Sequence, residues 1–225
     1  MDLSGLARYP SLRDRVVFVT GGGSGIGAAI VESFVDQGAR VAFVDIAEQA
    51  SRKLCDDLQV RYGGAPLFMP CDITDIAALR EAVARTGREL GDIAVLVNNA
   101  ANDMRHDWTD VTPEYWDERM AVNLRPMFFA IQAAAPQMKR RGGGSIVNFG
   151  SISWKMAGGG MPAYVTAKAA VHGLTRGMAR DLGPDGIRVN TVLPGWVMTE
   201  RQLKLWVDAA AEQVIDRAQC LPGRV

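Results

Sequence analysis

Short apolar runs separated by longer stretches of helical period organise this chain. The first run, Val16 to Val19, leads into a glycine-rich loop and a helix expected near 25–37. The second, Val41 to Val44, leads into a charged helical stretch near 47–61. Further runs lie at 66–69, 93–97, 145–149 and 187–193, with helical patterns between them. Nearly continuous apolar strands suit a sheet covered on both faces. Strand–helix alternation implies right-handed crossovers, and so predicts an α/β fold: a doubly wound parallel sheet in three layers. No repeat, low-complexity segment or linker interrupts the pattern, so residues 1–225 are expected to form one domain. Two connections, 101–113 and 151–162, are long and polar or glycine-rich. Both leave the carboxyl ends of strands, where open α/β sheets bind ligands, so both are expected to border a site.

Composition narrows the function classes. Hydrophobic residues make up 48% and charged residues 22% of the 225 positions, and 25 basic residues balance 25 acidic ones. Neither nucleic acid nor an anionic membrane is an expected partner. The first residues carry no apolar core of a signal peptide, and no run approaches the roughly 20 residues that span a bilayer. Cys55, Cys71 and Cys220 are odd in number and widely spaced, and His106 and His172 are the only histidines. A disulfide framework or a metal site is therefore not expected. The reading is of reduced thiols in a cytoplasmic protein.

Residues 20–27 read TGGGSGIG between an expected strand and an expected helix, the context that gives a glycine motif meaning. Gly21 suits a tight turn, Gly25 a close approach of backbone to pyrophosphate, and Gly27 close packing of helix on strand. The helix start offers free N–H groups and partial positive charge. Asp45 ends the second strand, eighteen positions after Gly27, where an acidic residue can accept hydrogen bonds from ribose hydroxyls and repel a 2′-phosphate. Ile46 follows rather than Arg, and the turn carries Ser24 but no basic residue, which favours NAD over NADP. Asp45 is also a reasonable helix N-cap.

Tyr164 and Lys168 are four residues apart in a helical stretch and share one face. Tyrosine ionises near pH 10, too high for a base at neutral pH. A nearby ammonium and a bound nicotinamide cation favour the phenolate, so a lowered value is expected. Ser151, thirteen residues upstream at the end of the fifth strand, can hold a substrate oxygen beside the phenol.

These residues, with CDIT at 71–74, NNA at 98–100, Asn123 and PGWVMT at 194–199, resemble the short-chain dehydrogenase/reductases in order and spacing over essentially the whole chain. The resemblance implies that Tyr164 is the acid/base and that Ser151 orients the substrate oxygen. It implies that Lys168 binds the nicotinamide ribose and that Asn123 holds a water in a proton relay. Asp72 matches the residue placed against adenine, with a helix cap as its other reading. Asn98 and Ala100 match the segment beside the cofactor, and Thr199 the residue holding the carboxamide. Ile26, Ile73, Pro194, Gly195 and Val197 stand within the same motifs as cofactor contacts. Two features depart from the family. Ala101 replaces the usual glycine after NNA, so its backbone must avoid glycine-only angles. Family members also usually continue beyond Val225 into a last helix and a seventh strand. Without them, in a chain either incomplete or truncated, one sheet edge is expected to be open.

The strings NDMRHDW, YWDERMAVNLR, FGSISW and QCLPGR further resemble NAD-dependent aldose 1-dehydrogenases acting on D-xylose, L-arabinose or related sugars. A sugar needs groups for several hydroxyls and a flat apolar surface for its C–H face. Asn102, Asp103, Arg105 and His106 are candidates for the first, and Trp154 for the second. The plainer readings are solvated loop residues and a packing tryptophan. The expected reaction removes the C1 hydride and yields a lactone. The alternatives are a secondary-alcohol or polyol dehydrogenase, or a nucleotide-binding protein without turnover. Stretches 113–140 and 161–182 carry Met127, Phe128, Ala133, Ala134, Ala135, Ala169 and Gly173. Such faces suit close helix packing, and the matching helices of the family pair across a two-fold axis, so a homodimer or homotetramer is expected.

Overall fold

The computed structural model describes residue 5 and residues 7–156 and 159–218. Cys220 and the QCLPGR string lie outside the described residues. Six strands form one parallel sheet: β1 (Val16–Thr20), β2 (Arg40–Asp45), β3 (Leu67–Pro70), β4 (Val95–Asn98), β5 (Gly144–Phe149) and β6 (Ile187–Val192), in the order β3-β2-β1-β4-β5-β6. Every residue of β1 is buried. Alternate residues serve opposite faces. Val16 and Phe18 pack with Leu79 and Ile131, while Val17 and Val19 pack with Val31 and Leu58. The first pair comes from α3 (Ile76–Leu90) and α5 (Arg125–Arg140), the second from α1 (Gly25–Asp36) and α2 (Glu48–Tyr62). The expected doubly wound, three-layer α/β architecture is the one observed.

Thr20 of β1 pairs with Val44 of β2 on one side and Asn98 of β4 on the other. The strand order runs outward from this point in both directions, so a crevice opens at the carboxyl ends of β1 and β4. Element limits move from the sequence expectation by a residue or two. The larger difference is in 113–140, which divides into α4 (Pro113–Asn123) and α5 at Leu124, with φ −135° and ψ −56°. Pro126 explains the break: it has no N–H to give the carbonyl four residues back, and its ring clashes there. Among the described residues β6 pairs only with β5. No helix among them is long and apolar enough to cross a membrane.

Candidate active site

The glycine loop closes over the end of β1. Gly21 has φ +68°, and a Cβ there would stand 2.8 Å from the Ala100 Cα. A Cβ on Gly27 would stand 1.8 Å from the Gly21 carbonyl oxygen, so only glycine lets α1 begin against this turn. Ser24, the N-cap, spends no hydroxyl on the first amides of α1. Gly25 faces the methyl of Thr199. The Asp45 carboxylate accepts the Gly23 N–H at 2.8 Å through one oxygen and the Ala47 N–H at 2.8 Å through the other. It therefore braces the glycine turn and is not the N-cap of α2, a position held by Ala47. A carboxylate has about four acceptor sites, so capacity remains for hydroxyls. Ile46 is exposed beside it. These free amides, the tight turn and the acidic strand end fit a dinucleotide.

Farther along the sheet edge, Ile73 is buried while Asp72 is exposed and turns back on Thr74, accepting its N–H and hydroxyl at 2.9 and 2.8 Å. The cap of α3 is Asp75, not Asp72. Asn98 is corrected more sharply. Its side chain is buried within the sheet, donating to Asn148 at 2.8 Å, and Asn148 in turn donates to Thr175 at 3.0 Å. Asn99, the next residue, faces the cavity instead and donates to the carbonyls of Thr20 and Gly21. Adjacent strand residues point to opposite faces, which is why one of this pair is structural and the other lines the site. Ala101 avoids the left-handed region: Asp14 is the only non-glycine residue there among those described.

A cavity of about 810 Å³ opens beyond β4, β5 and β6. Ser151, Tyr164, Lys168, Arg105, Ile26, Pro194, Gly195, Val197 and Thr199 all line it. α6 (Pro162–Leu182) carries Tyr164 and Lys168 on one face. Lys168 is fully buried and donates to the Phe149 carbonyl at 2.7 Å, with its Nζ 5.7 Å from the centre of the Tyr164 ring. Burial pushes Tyr164 up to about 12, opposed by its hydrogen bond with Ser151 and by Arg105, and reinforced by Asp103. Burial likewise pulls Lys168 down to about 8. The expectation that the ammonium lowers the phenol's pKa is thus not met by the protein's own groups. Desolvation of the phenolate dominates.

Other candidates are redistributed. Trp154 is absent from the cavity wall, and its ring lies 6.1 Å from that of His172 on α6. It packs between His172 and Lys155, whose Nζ lies 5.2 Å from its ring. Trp196, embedded in the PGWVMT string, lines the cavity instead, with the Arg105 guanidinium 5.5 Å from its ring and 5.3 Å from that of Trp206. Asn102 does not line the cavity: its side chain accepts the Met104 N–H at 3.0 Å within its own loop. Asn123, fully buried, accepts the Asn102 N–H at 2.8 Å and donates to the carbonyls of Asn102 and Arg119. It fastens the loop to α4. Asp103 lines the cavity and accepts from Arg201 at 3.3 Å and Gln202 at 2.5 Å, both on α7 (Glu200–Leu205). Val214, Ile215 and Ala218 of α8 (Ala209–Ala218) complete the wall, a contribution no short sequence pattern announces. Both loops singled out in the sequence do border the cavity.

Comparison with known proteins places this geometry in context. The family profile described as short chain dehydrogenase matches residues 15–209. A probable galactose dehydrogenase of Rhizobium meliloti (strain 1021) is 52% identical over 96% of this chain and 84% of that protein. A D-xylose 1-dehydrogenase of Caulobacter vibrioides is 50% identical over 97% of this chain and 86% of its own length. A 7α-hydroxysteroid dehydrogenase solved with NADH and 7-oxo glycochenodeoxycholic acid superposes with a TM-score of 0.87 at 31% identity, covering 94% of this chain and 83% of that one.

Proposed function

The chain belongs to the short chain dehydrogenase family, and from that premise we propose that it is an NAD-dependent aldose 1-dehydrogenase, taking the hydride from C1 of a cyclic sugar and leaving a lactone. The observation that carries the reading is the convergence of the Tyr164 and Ser151 hydroxyls and the buried Lys168 on the wall of one cavity. The names of relatives at 52% and 50% identity, galactose dehydrogenase and D-xylose 1-dehydrogenase, point to the sugar.

Gly21 to Gly27, with the first amides of α1, would hold the pyrophosphate, and Asp45 the adenosine ribose. Asp45 also favours NAD over NADP, since its carboxylate repels a 2′-phosphate. The nicotinamide, when bound, supplies the hydride acceptor. Ser151 donates to the C1 oxygen and orients it. Tyr164 as phenolate takes the proton from the C1 hydroxyl, and the lactone carbonyl forms as the C1–H bond breaks. Lys168 holds positive charge beneath the phenol. Arg105 and Asp103 meet further hydroxyls, and Trp196 offers the apolar face that Trp154 does not. Asn123 acts through the loop it fastens. A homodimer or homotetramer in the cytoplasm, built from single-domain chains, completes the proposal.

Formation of reduced nicotinamide, followed by absorbance over a panel of aldoses and polyols with NAD and with NADP, tests it. Oxidation of aldoses with NAD, several-fold better than with NADP, is expected. Turnover of open-chain polyols alone would transfer the protein to the secondary-alcohol class.

A further inference from the structure

His106 stands on the loop between β4 and α4, outside the cavity wall, and the catalytic reading gives it no task. Its partners fix its protonation state. Nδ1 lies 3.1 Å from the Met104 carbonyl oxygen, which can only accept, so Nδ1 carries the hydrogen. Nε2 lies 3.4 Å from the Ala163 N–H, which can only donate, so Nε2 keeps its lone pair. The Tyr115 hydroxyl, 3.0 Å from Nδ1, shares that hydrogen as an acceptor. Only neutral imidazole, in this one tautomer, satisfies every neighbour.

The recipient of this contact is the start of α6. The first amides of a helix have no partner within it. Met161, the N-cap, offers no side-chain acceptor, and Pro162 has no N–H. Ala163 is therefore the first donor in need of a cap, and a ring fifty-seven positions away supplies it. The residue after Ala163 is Tyr164. The main-chain N–H of His106 also donates to the Gly160 carbonyl at 2.9 Å, so one residue grips both sides of the turn into α6.

We propose that His106 is a positioning residue: its neutral imidazole caps α6 and holds Tyr164 beside Ser151, and protonation of the ring releases the helix start. The proposal rests on the reading of Tyr164 as proton acceptor. A proton on Nε2 sets N–H against N–H and puts positive charge at the positive end of the helix. The groups around the ring do not offset that charge. From α4 come Tyr115, with the Arg119 guanidinium 5.0 Å from its ring, and Glu118, which pairs with Arg119. From α6 comes Tyr164. On the loop itself, Arg105 is cationic, Asp103 is engaged by Arg201 and Gln202, and Asp107 accepts from Thr109. No carboxylate among the described residues is hydrogen-bonded to the imidazole.

Two variants test it. His106→Gln keeps a neutral acceptor of similar reach that does not titrate, and His106→Phe keeps a ring without nitrogens. Hydrogen–deuterium exchange at 162–166, its protection followed against pH, and kcat are the readouts. His106→Phe should exchange roughly fivefold faster there, as for a lost cap. Its kcat should fall roughly tenfold, with KM for the sugar changed far less, because a displaced reacting group costs rate. His106→Gln should restore both to within about threefold of the wild type, and its protection at 162–166 should not fall with pH as that of the wild type is expected to. Wild-type exchange in His106→Phe, or a loss of protection at 162–166 with falling pH that persists in His106→Gln, would overturn the proposal. Should His106→Phe not fold, the His106→Gln profile decides alone. Should no aldose be oxidised, the exchange comparison still reads the cap, so failure of the sugar reading and failure of this one are separable.

Discussion

Tyr164 and Lys168 are both held in their uncharged direction, the phenol up to about 12 and the ammonium down to about 8, and in each case burial is the main cause. The pocket thus favours a neutral phenol until positive charge arrives with the oxidised cofactor. Tyr164→Phe removes the hydroxyl and keeps the ring. General acid–base catalysis is worth about 10²–10⁴-fold, so kcat should drop by that factor while binding of NADH, followed by its fluorescence, survives. Near-normal turnover by the folded variant would dismiss Tyr164 as the proton acceptor. Lys168 makes a separate prediction about stability. Its folded pKa, about 8, lies below the ordinary 10.5, so between these values the unfolded chain binds more protons than the folded one. Stability from this group is present above about pH 10.5 and is lost as pH falls through about 8. Lys168→Met removes that dependence, at the constant cost of the hydrogen bond to Phe149. The Tm difference between variant and wild type should therefore move in the variant's favour as pH is lowered through this window. Tyr164 is present in both proteins and cancels. A pH-independent difference would mean that the ammonium is not desolvated.

At the scale of elements, the site is made by loops and short helices brought onto the carboxyl edge of a rigid sheet. Strand β4 leads into the loop that carries Asp103 and Arg105, and both reach across to α7 and its surroundings. Arg201 and Gln202 on Asp103, and Trp196 and Trp206 around Arg105, tie the cover of the cavity to its wall. Asp103→Ala removes the polar half of that tie. The ion pair is partly exposed and modest. KM for the sugar should rise roughly three- to tenfold, with much less effect on NAD binding in a titration, and equal effects on both would refute a role confined to the cover. The elements themselves were legible because their signals are local: apolar runs of strand length, glycines at one junction, a Tyr and a Lys one helical turn apart. What was not legible depends on which way a side chain turns. Trp154 and Trp196 look alike as exposed-loop tryptophans, yet only Trp196 lines the cavity. Asn98 and Asn99 differ by a single step of strand alternation. The break at Leu124 was written in Pro126, whose effect a long amphipathic pattern concealed.

At the scale of the molecule, α6 raises a question that the sheet does not answer. Its inner face is packed, with Ala163, Ala167, Lys168, Val171 and Thr175 buried. Its outer face presents Gly173 and Gly177, four apart and therefore on one line, with open space where a Cβ would stand. Glycine inside a helix costs about 1 kcal/mol relative to alanine, and nothing within the described chain makes use of the missing side chains. A second helix approaching closely along that line would use them, because small residues let helix axes come near. Phe128 of α5 and Trp116 of α4 are partly exposed apolar residues on the helices that the family resemblance also assigns to a two-fold contact. The wild-type protein should therefore scatter light as a dimer or tetramer at micromolar concentration. Gly177→Trp, which fills the line without touching the core, should weaken assembly at least tenfold while leaving the circular dichroism of the fold unchanged. Alanine at the same position should raise the Tm of any dissociated protomer, since it adds helix propensity alone. A wild-type monomer under those conditions, or a Gly177→Trp protein that assembles as tightly as the wild type, would leave the two glycines as an uncompensated cost and return the outer face of α6 to solvent.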